Sequence, residues 1–363
     1  MADIAELVNQ LMTDGTVPTI ARNANAQFGI APRTYLGASL LPERMVDENA
    51  YREESIIYRT VIANDGTRYS PSQKKGAALV GSFLVELGNS DIASEFTSRD
   101  YDALLRILNT RPSMDAAASL LSWLDRTVNL ALIEKNEKQR WEAIVSASVV
   151  RSGDNGYTET VSYSNPANHR AAAGGTWSSD SYDPFADILA MADLLESKGY
   201  TVGRIITSRT VLSILAGNDK VKARTGVATI NASGQITATA GRATRDAING
   251  ALDRDGLPAI ETYDLQYRTQ TGTGYFLSRS AFVLVATTGQ DESIDLGDTN
   301  SLMVANTLGY TALGRAAGQA MPGRVLRMEA FENKPPRIEA EGWQTSLPVI
   351  TNPEAIAVIT SIS

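Results

Sequence analysis

The run from Ser113 to Ser152 constrains this chain most, because between Arg111-Pro112 and Gly153 it contains neither proline nor glycine. Ala117, Leu120, Leu121, Leu124, Val128, Ala131 and Leu132 recur there at the spacing of one helix face, and Ser113 stands where an N-cap belongs. The pattern predicts a helix over about 113–150, on the order of 50 Å long at about 1.5 Å per residue. Ordinary domain helices average about 11–12 residues, so a helix this long needs other structure along its length to cover its apolar face. Trp123 and Trp141 lie within the run and are read as packing anchors.

The segments around the helix are of other kinds. Residues 1–54 begin with a short amphipathic pattern, Ile4, Leu7, Val8 and Leu11, and then meet breakers at Gly15, Pro18, Gly29, Pro32, Gly37 and Pro42, which favours an extended arm. From Ser55 to about Thr97 the signal is strand. SIIYRTVIA is rich in β-branched residues, NDGT (with Asp65 and Gly66) is a turn signal, and ALVGSFLVELG sets Leu79, Phe83, Val85 and Leu87 on one face. The polar RYSPSQKKGA between them, with Lys74 and Lys75, makes this a long hairpin with a flexible tip, whose lysines are by default solvated.

After the helix, GYTETVSYSNP alternates as a strand. Asp183 is then a good N-cap with Pro184 at the first helical position. Phe185, Ile188, Leu189, Ala192 and Leu195 form the apolar stripe that follows, and Lys198-Gly199 ends it. From Tyr200 to Leu313 strands and helices alternate: YTVGRIIT as a buried strand, SRTVLSILAGN as a helix capped by Ser208, and TRDAINGALDRDG as another helix. AIETYDLQYRT and YFLSRSAFVLVATT then read as strands joined at Gly272-Thr273-Gly274. Two more strand candidates lie around Pro335-Pro336 and Pro348, and no repeat of solenoid period is present. The fold class is α+β.

Little here suggests chemistry. With no cysteine in 363 residues, disulfides, thiolate catalysis, zinc-thiolate sites and iron-sulfur clusters are excluded. The single histidine, His169, sits in the polar SNPANHRAAAGG and is read as a solvated loop residue; no second histidine and no G-x-S-x-G elbow accompany it. GAALVGS lacks the lysine of a phosphate loop and is read as strand, and the TGTG at 271–274 precedes a strand where a dinucleotide site needs a helix. Around Asp253-Arg254-Asp255-Gly256 a calcium loop would put ligands on Ala251 and Thr262, so a helix-ending turn is preferred. No metal, no cofactor and no catalytic residue is expected.

A charge of -8 is the opposite of a basic nucleic-acid footprint. No apolar run is long enough to span a bilayer, and MADIAELVNQLM lacks the regions of a signal peptide, which points to a soluble, cytoplasmic chain. Arm and hairpin carry apolar residues with little chain around them, and burial against other subunits is the expected solution.

Two stretches carry a family resemblance. GGTWSSDSYDPFADI, Gly174 to Ile188, combines a glycine pair, a tryptophan and a Tyr-Asp-Pro that leads into a helix; EGWQTSLPVITNPEAIAVITSI closes the chain with an apolar Gln-Ser/Thr run, a proline and a Pro-acidic turn. In both, the chain resembles the lambda-type major capsid protein family of tailed phages, whose subunits have the Hong Kong 97 phage fold. The resemblance covers most of the chain after residue 50. It implies an N-terminal arm over 1–54, an E-loop hairpin over 55–98, and a peripheral domain over 99–181 and 321–363 with a spine helix at about 113–150. An axial domain over 182–320 completes the subunit.

The resemblance further implies a virion shell protein without enzymatic activity, assembled in the host cytoplasm into pentamers and hexamers around double-stranded DNA, with scaffolding, portal and decoration proteins as partners. Asp65, Gly66, Lys74, Lys75 and Phe83 would then lie in an inter-subunit hairpin. Relatives of the fold that weld subunits use a lysine and an asparagine, which the lambda-type family is not expected to do. An encapsulin-like compartment shell is the close alternative, and a soluble hydrolase using Asp180, Asp183 or His169 is the alternative of another class.

Overall fold

The structure is a computed structural model that describes residues 4–17, 20, 33–47, 50–58, 78–110, 113–153, 158–226, 229–230, 236–237, 241–269, 271–289, 292–295 and 308–363. Its elements run in chain order as follows. The first part comprises α1 (Ile4–Thr13), α2 (Leu36–Leu40), β1 (Glu43–Met45), β2 (Ala50–Tyr58), β3 (Ala78–Glu86), β4 (Gly88–Phe96) and α3 (Ser98–Thr110). Then come α4 (Ser113–Leu124), a π-helical turn (Asp125–Asn129), α5 (Leu130–Ser146), β5 (Ser148–Ser152), β6 (Thr158–Ser162), β7 (Arg170–Ala172), α6 (Pro184–Ser197) and β8 (Tyr200–Thr207). Next are α7 (Arg209–Gly217), α8 (Asp219–Arg224), β9 (Thr229–Ile230), β10 (Ile236–Thr237), α9 (Arg245–Arg254), β11 (Ile260–Thr262), β12 (Gln266–Thr269) and β13 (Gly272–Tyr275). The chain closes with β14 (Phe282–Gly289), β15 (Glu292–Asp295), β16 (Gly309–Leu313), β17 (Val325–Phe331), β18 (Arg337–Ile350), a short 3-10 turn (Pro353–Ala355) and β19 (Ile356–Thr360).

The chain divides into two compact units: Met1–Tyr51, Val85–Arg140 and Tyr310–Val349 form one, and Arg52–Leu84, Trp141–Gly309 and Ile350–Ser363 the other. Residues 321–349 thus group with the first unit and residues 350–363 with the second. The physical reason is that β19 is an apolar strand whose hydrogen bonds go to β14 and β7.

In the first unit a five-stranded sheet runs β1-β16-β18-β17, with β4 antiparallel to β18 on its other side. Strand alternation turns Leu326, Met328, Ile338 and Ala340 toward Leu120, Leu124 and Val128 of the long helix. Ile4, Val8, Leu11, Val17 and Ile20 join the same cluster. This corrects one expectation: these apolar residues near the start of the chain are buried by the chain itself, because α1 lies along β17. Helix α3, which the sequence pattern did not single out, adds Tyr101 and Leu104 to this core.

The helix after Pro112 is long, as the pattern predicts, but it carries a π turn and stops at Ser146. At the turn β18 comes close: a Cβ on Gly342 would lie 2.4 Å from Val128 Cγ1. At the end Ala147 takes φ 50, left-handed backbone that closes a helix. Val149 and Val150, placed in the helix by the sequence reading, instead pair with Val161 and Thr160 in the β5–β6 hairpin, where β-branched residues sit better. The Arg170 guanidinium takes the Ile144 carbonyl near the helix end, at 3.1 Å from Nε and 3.0 Å from Nη2. Burial pulls its pKa down to about 10.

The second unit is built on the sheet β11-β8-β14-β19-β7, parallel at its two outer pairs and antiparallel between. Ile205, Ile206, Phe282 to Val285 and Ile356 to Ile359 are all buried, the continuous apolar pattern of strands covered on both faces. Helix α6 packs on β8 and β19. The β12–β13 hairpin turns between Thr269 and Gly272, a step before the expected Gly272-Thr273-Gly274 junction, and those residues are strand. Gly274 is needed there because a Cβ would lie 2.6 Å from the Tyr267 ring.

Candidate functional site

GGTWSSDSYDPFADI, the stretch that most resembles a catalytic loop, lies in the second unit and centres on Asp187 in the first turn of α6. Its carboxylate accepts three bonds. Trp177 Nε1 donates to Oδ2 at 2.7 Å, Gly174 N to Oδ2 at 3.1 Å, and the Tyr182 hydroxyl to Oδ1 at 2.6 Å. Burial, then the hydrogen bond and charge of Asp187 and the charge of Asp183, pushes the Tyr182 hydroxyl up to about 12. The Tyr182 side chain lies against both glycines: a Cβ on Gly174 would come 2.5 Å from its oxygen, and one on Gly175 2.5 Å from its ring. The glycine pair, the tryptophan and the tyrosine thus form a single latch. Trp177 is fully buried, edge-on to Phe282 at 5.8 Å.

A second residue locks the loop from the far side. Asn218 Nδ2 donates to the carbonyls of Trp177, Ser179 and Tyr182 at 2.9, 2.8 and 3.0 Å, while its Oδ1 caps α8 by accepting from Lys220 N and Val221 N. Asp183 caps α6, accepting from Phe185 N at 3.0 Å with Pro184 at the helix start, and Gly199 closes that helix at φ 86. Ser208 caps α7 in the same way.

The hydrolase alternative names Asp180, Asp183 and His169, each with its own place in the fold. Asp180 Oδ1 accepts from Asp219 N at 3.2 Å, and Asp183 is a cap. His169 corrects the sequence reading: it is fully buried, with Nδ1 2.9 Å from the Ile356 carbonyl and Nε2 without a partner. Its loop is polar, but the adjoining β7 pairs with β19, and the His169 carbonyl accepts from Val358 N, which draws the ring inside. Ser113 opens α4 and Phe83 falls on β3, but their side chains lie outside the described ones. Asp65, Gly66, Lys74 and Lys75 lie outside the described residues. Among the described residues no group of three or more acids or histidines could hold a metal, and no helix is long and apolar enough to cross a membrane.

The first unit contains the group of polar residues that the sequence did not disclose. Glu43 on β1 accepts from Arg140 at 3.2 Å, from Asn136 at 3.1 Å and from Arg324. Arg140 also reaches Glu137 at 3.3 Å and Thr311 at 2.8 Å, and Glu137 accepts from Gly37 N at 2.8 Å. Gln344 closes the network between Arg324 and Asn136. Burial raises the Glu43 carboxyl, but the two guanidiniums outweigh it and hold it below the ordinary range. Two acids and two arginines balance, so the network is a buried clasp joining α2, β1, α5, β16 and β18.

Two solved structures share the fold. A protein described as the capsid protein of an Escherichia coli CFT073 prophage matches with a TM-score of 0.58 and 14% identity, over 98% of this chain and 99% of that one. A phage-related protein of Bordetella bronchiseptica RB50 matches with a TM-score of 0.54 and 14% identity, over 94% and 96%. No curated protein matches the sequence. What the chain shares with these two is the fold, that of a mixed α+β subunit. The sequence pattern of phage major capsid protein E matches residues 106–361, and the chain belongs to that family.

Proposed function

We propose that this phage major capsid protein assembles with copies of itself into pentamers and hexamers that close an icosahedral shell around double-stranded DNA. The match of residues 106–361 to the capsid protein family carries this reading. In it residues 1–54 serve as the arm and 55–98 as the hairpin reaching neighbouring subunits. Residues 99–181 and 321–363 serve as the peripheral domain with its spine helix, and 182–320 as the axial domain. The subunit catalyses nothing; it works with scaffolding, portal and decoration proteins, is put together in the host cytoplasm and ends in the virion. A net charge of -8 suits an inner wall along which DNA must slide, since a basic wall would hold the strand through counterion release.

The test is expression of the full chain with its scaffolding protein, followed by sedimentation and negative-stain microscopy. Closed particles, or oligomers of capsomer size, are expected. Protein that stays monomeric at high concentration with scaffold present overturns the proposal.

A further inference from the structure

The outer face of the sheet in the first unit carries more negative charge than a sheet favours. With Leu326, Met328, Ile338 and Ala340 turned into the core, the alternate residues face outward. Register then lines up Glu329, Glu339 and Glu95 as one row across β17, β18 and β4. Glu341 and Asp91 are exposed on the same face. Arg327 pairs with Glu329 at 2.8 Å and stands opposite Glu341, and Arg337 pairs with Glu339 at 2.7 Å and is also drawn by Glu95, so two arginines answer five acids and the face stays net negative. Like charges directly opposite each other across strands destabilise a sheet, so a face left net negative after its own two arginines gains from further cations.

The second unit presents the complementary charge. Arg279 lies over the Tyr275 ring at 5.1 Å and donates to Thr210 Oγ1 at 2.9 and 2.6 Å, which sets it beside Arg209 at the start of α7. Hairpin register pairs Gln266 with Tyr275, so Arg268, two residues on, shares their face. All three arginines are exposed, and among the described residues none forms an ion pair. The first amide of α7 is already taken by the Asp264 carboxylate at 3.0 and 3.1 Å. What the corner offers is therefore guanidinium groups around an aromatic ring, a composition suited to a protein interface and to carboxylate partners.

We propose that the Glu329–Glu339–Glu95 face of one copy docks against the Arg209–Arg268–Arg279 corner of a second copy. This deepens the shell reading and rests on it. A contact between two different faces is heterologous, and repeated by rotation it closes a ring.

Reversal of charge on exposed positions tests the pairing, with the full chain and its scaffolding protein. Glu95→Lys with Glu341→Lys reverses the face, Arg268→Glu with Arg279→Glu reverses the corner, and a third variant combines all four; thermal melts confirm that each is folded. Each reversal alone is expected to lower particle yield by roughly tenfold or more, and the combination to restore it. Wild-type protein that forms no particle overturns the shell reading and the docking with it. Wild-type particles that tolerate both single reversals overturn the docking alone. So does loss without rescue in the combination, or loss from the face reversal only, which would assign the face to a different basic segment.

Discussion

The Trp177 indole is bonded to the Asp187 carboxylate at 2.7 Å, and the same carboxylate holds the Tyr182 hydroxyl at 2.6 Å. One side chain in the first turn of α6 thereby positions the loop that leads into it. Asp187→Ala leaves the indole N–H and the hydroxyl without an acceptor. A buried orphan costs about 1–3 kcal/mol, so a total loss of about 2–4 kcal/mol is expected, read as a lower urea midpoint followed by tryptophan fluorescence.

Gly175 is required by the Tyr182 ring, not by its own backbone, which is not among the positive-φ positions. Gly175→Ala should destabilise the protein by about 1–3 kcal/mol, the usual range for overpacking. Made in a Tyr182→Ala background, the same change should cost almost nothing further. A double-mutant cycle in chemical denaturation checks this coupling.

Tyr182 should titrate late. Unfolded tyrosine loses its proton near pH 10, whereas burial and then the Asp187 bond keep the folded hydroxyl protonated to about 12. Because the folded pKa is the higher one, this contribution is full below about pH 10 and is lost as pH rises toward 12. The phenolate absorbance difference between wild type and Tyr182→Phe should develop only as pH nears 12, and their stability difference should shrink as pH rises from about 10 toward 12.

Glu43→Ala takes the acid from buried Arg324 and leaves Arg140 with Glu137. Breaking a buried ion pair from one side costs about 3–5 kcal/mol, and a drop of that size is expected in chemical denaturation. Since the folded carboxyl is held below its ordinary value, its contribution is present above about pH 4.3 and is lost as pH falls through the folded pKa. Wild type and Glu43→Gln should therefore converge in stability on acidification.

Asp183→Ala removes a cap and a long, partly exposed ion pair with Arg224 at 4.0 Å, so about 1 kcal/mol of stability should go, with particle formation retained. A calorimetric scan beside micrographs of the same sample tests both parts.

The features legible in the sequence are those whose partners are close along the chain. Asp183 and Ser208 cap amides two and three residues on, Gly199 ends the helix it follows, and the long run after Pro112 is helical because nothing inside it breaks a helix. Asp187 in the motif reads only as an acid in a first helical turn, because its link to Trp177 depends on how the loop folds back. Asn218 was invisible as a clamp for the same reason: the carbonyls it holds belong to residues 36 to 41 positions earlier.

Composition and local spacing decided the α+β class, the absence of thiol chemistry and the family motif, since each depends on residue type and short-range order. Tertiary structure decided the rest. Glu43 meets Arg140 and Arg324 across 97 and 281 positions, a pairing that no periodicity encodes. His169, polar by neighbourhood, is buried in the unit whose sheet β19 joins. Ile4, Val8 and Leu11, for which local sequence offers no cover, are covered by β17 and the long helix, because burial depends on what arrives from far along the chain and not on how much chain stands nearby.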